Sequence, residues 1–341
     1  HRFSWVADHF IYLASVAVLV MIIASLASIP TLRSRLGAVL AGIVLLVAAI
    51  LSHQHTKTFE SLDTLWLTTI ERTPSSWMPN NNMSSLMLRR AGVAMDAGDT
   101  DLKHAFAREA RDFALRAIEL KPDHANAHSN AAEAFRLIDD VGTALYHQQT
   151  AIDLLEARAD VDRRHKELAD EYFKRGRLEH LQKRWDDTET SFRRAVDLHP
   201  EHMMYWQELA QFYERQDRLD DAIIVYGTML DLEPEFAPII ARLARLLLEQ
   251  VRYDESIALL ERSLESTDDE LLRCQFLDML ANIHASAGSF EIAIRLATEA
   301  RDIAIRLDVP ILRDGIPSRL ESYQNSLDAR RNGAGPPTPS R

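Results

Sequence analysis

Two similar tetrapeptides lie 34 residues apart in this 341-residue sequence, and no other feature constrains the fold as strongly. They occupy residues 197–200 and 231–234, and both end in proline, which terminates helices. A fixed period of about 20 to 50 residues is typical of stacked repeat units. A small residue recurs along the chain at intervals of 34, 44, 34, 34 and 37 residues and predicts six such units, at Ala110, Ala144, Thr188, Ala222, Ser256 and Ala293.

The segment between the two prolines carries a more specific pattern. Small residues in this pattern let two helices approach closely, and larger apolar residues fill the space around the contact. The segment resembles the tetratricopeptide repeat, and the resemblance implies one helix pair per unit, each stacked on the next. The residues that match the repeat are Trp206, Leu209, Ala210, Tyr213, Ala222 and Tyr226.

Composition agrees with an all-α fold. The chain has only 11 glycines and 12 prolines, too few for a turn-rich β-sandwich. Its single cysteine, Cys274, cannot form a disulfide within the chain, and no cysteine and histidine set has zinc-finger spacing. We therefore expect an α-solenoid of about six tetratricopeptide helix pairs over residues 77–309.

The ends of the repeat array give further expectations. A connecting amphipathic helix is predicted over 53–76, a capping helix over 310–331 and a disordered tail over 332–341. Compared with the 34-residue period, the first unit contains about fourteen extra residues, around 92–102. Residues 153–174 contain no helix breaker, so we expect one extended helix there.

The first 52 residues have a different character from the rest. No Asp, Glu, Lys or Arg occurs from His9 to Leu32, and a second apolar stretch follows Arg35. Twenty helical residues cover about 30 Å, the thickness of a bilayer core. We predict a transmembrane hairpin over residues 1–52, with spans over 10–29 and 36–52. A buried hairpin is the alternative, and a cleaved signal peptide fits less well because two apolar segments are present.

Charge predicts the orientation of the hairpin. Arg33 and Arg35 lie between the spans, and the positive-inside rule places their turn in the cytoplasm. The repeats are then extracytoplasmic, either periplasmic or lumenal, and the chain is an integral membrane protein. A formal net charge of −12 argues against nucleic acid as a partner.

Three short segments, residues 2–15, 63–66 and 74–81, suggest a family. They are similar to the C-terminal portion of bacterial membrane proteins related to the transmembrane-and-tetratricopeptide-repeat O-mannosyltransferases. This resemblance implies a polytopic enzyme of the C-type glycosyltransferase fold that uses a lipid-linked sugar. In that family the catalytic acidic residues lie in an early loop after the first span, whereas Asp8 is the only carboxylate before the second span here. We predict no catalytic residue, and we expect the chain to be the C-terminal part of a longer polypeptide.

The predicted ligand site is the concave groove that the first helices of the pairs build in the tetratricopeptide family. Repeat phase places amides and a few charges along it, and such a lining suits an extended peptide. It lacks the lysine and asparagine clamp that holds chaperone C-termini. The predicted groove residues are Asn126, Ser129, Glu133, Arg136, Asp170, Phe173, Arg177, His180, Met204, Gln207, Gln211, Glu214, Arg245, Glu249, Gln275, Asp278 and Asn282.

Two smaller groups of polar residues are weaker candidates. Asp8, His9 and Tyr12 lie at the predicted membrane boundary, where they would contact a polyprenyl phosphate or a metal ion, or serve only as a helix start and interfacial anchors. His124 and His128 are four residues apart but lack the glutamate and the third ligand of a zinc site. No metal and no cofactor is predicted.

Two functions follow from these expectations. The first is a membrane-anchored interaction module that binds a protein or peptide outside the cytoplasm. The second is the acceptor-binding C-terminal region of a membrane glycosyltransferase, which would add a lipid-linked sugar to the partners. The lipid bilayer is a partner in both. A cytoplasmic assembly scaffold would require the inverted topology.

Overall fold

The computed structural model describes residues 61–157 and 165–332, together with Val39, Gly42, Ile43, Leu46, Val47 and Ile50. The two continuous ranges contain fourteen α-helices and no strand, which confirms the all-α prediction for this part of the chain. The helices are α1 (Leu62–Arg72), α2 (Trp77–Asp96), α3 (Thr100–Leu120), α4 (Ala125–Leu137), α5 (Val141–Glu156), α6 (His165–Leu181), α7 (Trp185–Leu198), α8 (Met203–Arg215), α9 (Leu219–Leu232), α10 (Ala237–Glu249), α11 (Tyr253–Ser266), α12 (Glu270–Ser286), α13 (Phe290–Arg306) and α14 (Pro310–Arg331).

Short turns join the two helices of each pair, and every such turn contains a residue with positive φ. At the end of α8, for example, the amide of Arg218 donates to the carbonyl of Tyr213 (2.9 Å), which closes the turn around Asp217. Connections this short make consecutive helices antiparallel. The residues with positive φ are Gly98, Asp139, Lys183, Asp217, Val251, Gly288 and Asp308.

The six small residues that mark the repeats have no exposed surface, as the packing argument predicts. From Thr188 onward each lies five positions after the positive-φ residue of its turn, so the turn fixes where the two helices first touch. The two polar markers have hydrogen bonds: the hydroxyl of Thr188 donates to the carbonyl of Arg184, and that of Ser256 donates to the carbonyl of Ala244, both at 2.8 Å. Their burial therefore leaves no hydroxyl unsatisfied.

The extra residues of the first unit lengthen its helices and do not form a loop. Helix α2 has 20 residues and α3 has 21, whereas α8 has 13 and α9 has 14. Each helix of the first pair is thus seven residues longer, and the turn at Gly98 lies nearly two helical turns further along. Ala91 lies in the extension of α2 and shares a core with Ala107 of α3, and both alanines are fully buried.

The chain divides into two compact units, residues 1–139 and 140–341. In the first unit, Met83, Leu86 and Met87 of α2 form a core with Ala110 of α3. Helix α1 packs on α2, and Arg90 of α2 donates to the carboxylate of Asp63 of α1 at 2.6 Å.

The second unit contains α5 to α14, and each helix packs on the next. The largest core of this unit is rich in aromatic side chains from α6 to α9, among them Phe173, Phe192, Tyr205 and Phe212. At the other end, α14 covers the apolar side of α12 and α13 with Ile316, Leu320 and Tyr323. This helix gives the last pair an apolar partner, as a solenoid end requires.

Several predictions concern residues with little or no described structure. The predicted span over 10–29 and residues 333–341 of the predicted tail lie outside the described residues. In the predicted span over 36–52, only Val39, Gly42, Ile43, Leu46, Val47 and Ile50 are described, and all six are helical. None of the helices that the structure describes is both long and apolar enough to cross a bilayer.

The expected single helix over residues 153–174 is wrong. Helix α5 ends at Glu156, where the amide of Ala157 donates to the carbonyl of Asp153 at 3.0 Å. The lack of a glycine or proline was therefore not enough to continue the helix.

Candidate functional site

A cleft between α8 and α10 brings several predicted groove residues together. Residues three or four positions apart share one face of a helix, and Gln207, Gln211 and Glu214 follow this spacing on α8. The cleft has a volume of about 490 Å³. We call it the α8–α10 cleft, and it is lined by Gln207, Gln211, Glu214, Arg215, Tyr226, Pro238, Ile239 and Arg242.

A charged network forms one wall of the α8–α10 cleft. The guanidinium of Arg242 donates from Nε to Oε1 of Glu214 at 3.0 Å, and its second nitrogen contacts Oε2. The hydroxyl of Tyr226 donates to the same Oε1 at 2.6 Å. Since the Glu214 side chain is only 10% exposed, these two donors compensate its buried charge and fix its position.

Burial raises the pKa of Tyr226 to about 12, although the positive charge of Arg215 opposes the shift. The phenol is therefore protonated at neutral pH and keeps donating to Glu214. The lining contains no serine, cysteine or histidine that could act as a nucleophile or transfer a proton near neutral pH.

Two other lining residues of the α8–α10 cleft offer free hydrogen-bonding groups. Among the described residues, none bonds to the side-chain amides of Gln207 and Gln211. Each amide has two donor positions and one acceptor oxygen. Beside them, the exposed Pro238 contributes apolar surface from α10, whereas Ile239 is 5% exposed and belongs mainly to the core. A peptide backbone could bond to the amides while its side chains contact this apolar surface.

Helix α6 places its predicted groove residues in three different environments. Phe173 is buried and packs on Phe192 and Tyr205, with ring centroids 5.7 and 4.9 Å away. Asp170 accepts a hydrogen bond from the hydroxyl of Tyr205. Arg177 is exposed. The side chain of Phe173 thus belongs to the core, and only Arg177 of these three reaches solvent without a partner among the described residues.

His180, also on α6, lies beside the rings of Trp185 and Phe212, at centroid distances of 5.2 and 6.2 Å. Burial lowers the pKa of His180, and the positive charge of Arg215 lowers it further, more than the carboxylate of Glu208 raises it. We therefore expect a neutral imidazole at physiological pH.

The predicted residues of α4 belong to the first compact unit and do not line the α8–α10 cleft. Asn126 is exposed, whereas Ser129 is buried. Glu133 accepts two hydrogen bonds from Arg136, at 2.7 and 2.6 Å. Glu133 and Arg136, both predicted to bind a ligand, are therefore paired with each other in bidentate geometry.

The other predicted groove residues, on α8, α10 and α12, also differ in whether they are exposed or bound by another side chain. Met204, Arg245, Glu249, Gln275 and Asn282 are exposed. In contrast, Arg319 of α14 binds both carboxylate oxygens of Asp278 at 2.8 Å. Asp278, which was predicted to contact a ligand, is therefore bound by the C-terminal helix α14.

The sequence interpretation missed Arg215, Tyr226 and Arg242 as lining residues of the α8–α10 cleft. Arg242 lies one residue away from the repeat position that was used to map the groove, and its partner Glu214 is 28 residues earlier. The only sequence signal was the occurrence of opposite charges on the first helices of adjacent units.

His124, at the start of α4, and His128, on α4, both contact the backbone of their own region. Nδ1 of His124 accepts from the amide of Ala127 at 3.1 Å and caps α4, and Nε2 of His128 lies 3.0 Å from the carbonyl oxygen of Pro122. Within the described ranges, no group of three or more metal-ligating side chains is close enough to hold an ion. Asp8, His9 and Tyr12 lie outside the described residues.

Comparison with known proteins identifies the repeats. Two tetratricopeptide repeat family models match the chain, over residues 167–235 and 216–275. The human tetratricopeptide repeat protein 36 is 35% identical over 104 residues, which are 29% of this chain and 52% of that protein. The chain therefore aligns with about half the length of this relative. These matches confirm the repeats that the 34-residue spacing predicted.

Solved structures with similar helical arrangements have low sequence identity. The TPR protein YrrB is 13% identical, with a TM-score of 0.39, over 62% of this chain and 96% of that one. The pilF protein of Pseudomonas aeruginosa is 13% identical, with a TM-score of 0.41, over 70% of this chain and 99% of that one. The resemblance to O-mannosyltransferases rests on other residues, 2–15, 63–66 and 74–81, and stays a prediction.

Proposed function

We propose, from the tetratricopeptide repeats over residues 167–275, that this chain is a peptide-binding and protein-binding module whose ligand occupies the α8–α10 cleft. The observation that carries the proposal is the pair of free amides at Gln207 and Gln211, which open on a cleft of about 490 Å³. Unsatisfied amides beside apolar surface are suited to an extended backbone, which presents alternating donors and acceptors.

Selection of a peptide followed by titration would test this proposal. A displayed library of random dodecapeptides is selected on the full chain, and the affinity of a selected peptide is measured by calorimetry. Each lost amide contact to the backbone costs about 1 kcal/mol. Replacing both Gln207 and Gln211 by alanine should therefore weaken binding by about tenfold or more.

Gln324→Ala is the matched control, because Gln324 is an exposed glutamine on α14, away from the α8–α10 cleft. This variant should bind the selected peptide as the unmodified chain does. Equal affinity of the control and the double variant would contradict the assignment of the cleft.

Membrane attachment through residues 1–52 is the second part of the proposal. Its support is the charge-free stretch from His9 to Leu32 and the second apolar stretch that follows Arg35. Val39, Ile43, Leu46, Val47 and Ile50 are helical and 48 to 61% exposed. Residues 36–51 contain no charged side chain, so a helix over this stretch would present apolar groups to lipid.

The burial of Cys274 makes the topology testable with introduced cysteines. Cys274 has no exposed surface, so a membrane-impermeant maleimide should not label the folded chain at that position. With extracytoplasmic repeats, Ser322→Cys should be labelled in intact cells and Ser34→Cys only after lysis. The reverse pattern would place the repeats in the cytoplasm, and extraction of the chain from membranes by alkaline carbonate would contradict the anchor itself.

A further inference from the structure

Three side chains form a row across successive first helices of the second unit. Arg177 on α6, Gln211 on α8 and Arg245 on α10 follow one another at intervals of 34 residues, so each has the same place in its repeat. All three are exposed, and Gln211 also lines the α8–α10 cleft. We call these residues the Arg-Gln-Arg row.

The two guanidinium groups of the Arg-Gln-Arg row have no partner among the described residues. This is unlike other arginines of the same helices. Arg175 donates to Ser191 and Gln149, and Arg242 binds Glu214. Arg177 and Arg245 therefore keep all their donors and their full charge available for a ligand.

Arg177 and Arg245 differ in the acidic residues near them on their own helices. On α6, the positions three and four residues from Arg177 are Phe173, Lys174, His180 and Leu181, none of which is acidic. Glu249 lies one helical turn after Arg245, but no ion pair joins them in the part of the chain that the structure describes.

The remaining carboxylates on this side of α6, α8 and α10 already have donors nearby. Glu214 binds Arg242, Asp170 accepts from Tyr205, and Glu208 lies 3.8 Å from Arg215. The Arg-Gln-Arg row is thus a local positive surface on a chain with a formal net charge of −12.

We propose that the ligand of this surface is an acidic, extended segment of a partner protein. One carboxylate binds Arg177, a second binds Arg245, and the backbone between them bonds to the amide of Gln211. The proposal rests on the proposed function and specifies the class of peptide. Carboxylates pair with guanidinium in bidentate geometry, which gives both affinity and register.

The spacing of the row determines the spacing of the acidic residues. Arg177 and Arg245 are separated by two helix-to-helix steps of about 10 Å each. An extended chain advances about 3.3 Å per residue, so the two carboxylates should be roughly six residues apart.

Fluorescence anisotropy with defined peptides tests this inference on the full chain. The probes are labelled serine and alanine peptides that carry two glutamates roughly four, six or eight positions apart. Matched peptides carry glutamine in place of glutamate. We expect the tightest binding at the middle spacing, about tenfold weaker binding of its glutamine version, and weaker binding at higher salt.

Charge-removing variants locate the interaction. Arg177→Gln and Arg245→Gln should each weaken binding of the best glutamate peptide by about tenfold. Arg262→Gln is the matched control, because Arg262 is also exposed and without a partner among the described residues but lies on α11, outside the row. This control should bind with unchanged affinity.

Two outcomes would overturn the inference. In the first, the glutamine peptides bind as tightly as the glutamate peptides. In the second, Arg262→Gln weakens binding as much as the row variants do. If no glutamate peptide binds while library-selected neutral peptides still require Gln207 and Gln211, the acidic class is wrong and the proposed function stands. If no peptide of either kind requires those glutamines, the proposed function fails as well.

Discussion

At the scale of single residues, the turns of the repeats hold unfavourable conformations. Val251 has a φ of 60°, in the left-handed region that costs a β-branched residue about 1 to 2 kcal/mol. Gly98 and Gly288 occupy the corresponding place in other turns, where this cost does not arise. The turn after α10 is closed by the amide of Arg252, which donates to the carbonyl of Leu247 at 2.8 Å. This hydrogen bond closes the turn with Val251 in the left-handed region.

Replacing Val251 by glycine should stabilise the protein. The side chain is 64% exposed, so little packing is lost, and we expect the free energy of unfolding to rise by about 1 kcal/mol. Urea denaturation followed by circular dichroism would measure the change. Val93→Gly is the matched control, because Val93 is 67% exposed but helical, and there glycine should lower the stability by about 0.5 kcal/mol. A loss of stability in Val251→Gly would contradict the expected relief of strain.

A second residue-scale feature is a buried polar network between α6 and α7. Glu179 is 4% exposed, accepts from the hydroxyl of Ser191 at 2.6 Å and lies 3.4 Å from Nε of Arg175. Burial raises the pKa of Glu179, and the hydrogen bond from Ser191 and the charge of Arg175 only partly offset this. Folding therefore favours the protonated form of this carboxyl group.

The stability contributed by Glu179 should fall as pH rises. Above the ordinary pKa of glutamate and up to its raised value, the folded chain binds more protons than the unfolded chain, so the free energy of unfolding decreases with pH. The difference in stability between the unmodified chain and Glu179→Gln should thus decrease as pH rises from about 4, the ordinary pKa of glutamate, toward the raised pKa. Urea titrations across this range would measure it.

Glu189 provides a control of opposite sign. Burial alone would raise its pKa, but hydrogen bonds from Arg218, Tyr213 and Arg193 outweigh burial and lower the pKa. The stability contributed by Glu189 is present above the ordinary glutamate pKa and is lost as pH falls below it. The difference curve of Glu189→Gln should therefore slope in the other direction. Parallel curves for the two variants would show that burial of Glu179 does not control its titration.

At the scale of elements, α14 replaces the helix that the next repeat would supply. Ile316 has no exposed surface, and it shares a core with Leu277 of α12 and Ala297 of α13. Arg319 ties the same helix to Asp278, and Arg330 donates to the carbonyl of Gly288 at 2.6 Å. Both apolar and charged contacts therefore fix α14 on the last pair.

Truncation of Ile316 should weaken this attachment. We expect Ile316→Ala to lower the free energy of unfolding by about 3 kcal/mol, because a fully buried side chain leaves a cavity. Ile311→Ala is the matched control on the same helix, since Ile311 is 86% exposed and its loss should change stability by less than about 0.5 kcal/mol. Thermal unfolding would compare the two variants. Similar midpoints would mean that α14 is not needed to cover α12 and α13.

The element scale also shows what a sequence can predict. The helix pairs were predictable because their contact depends on short-range spacing, five residues from the turn to the small marker in the later units. The long first hairpin was detected only as extra residues, since a helix seven residues longer and a loop have the same effect on spacing. The engagement of Asp278 was not predictable, because Arg319 lies 41 residues away and reaches it only through the packing of α14.

The candidate site was predictable to a similar extent. Gln207, Gln211 and Glu214 were assigned to the groove by repeat phase, and all three line the cleft. Phe173 had the same repeat phase as Gln207, but the neighbouring rings of Phe192 and Tyr205 hold it in the core. Side-chain size and long-range pairing therefore decide which residues of the predicted face meet a ligand.

At the scale of the molecule, each described helix packs mainly on its neighbours along the sequence. Stability in such an array is a sum of local contributions, so a core defect should affect only nearby pairs. Leu209→Ala removes a side chain that is 2% exposed and belongs to the core of α6 to α10. We expect faster amide hydrogen exchange in α6 to α10 and unchanged exchange in α2 and α3. A uniform increase along the chain would indicate a single cooperative unit.

The first hairpin has a property that follows from its length. Seven residues make nearly two full turns of an α-helix, so one face of α2 stays turned toward α3: Ser84 donates to the carbonyl of Ala110, and Ala91, seven residues later, shares a core with Ala107. An increment of five or six residues would rotate Ala91 out of the shared seam, because it turns the helix by about 120 to 140°. Natural variants of this hairpin should therefore gain or lose length in steps of seven residues, on both helices at once.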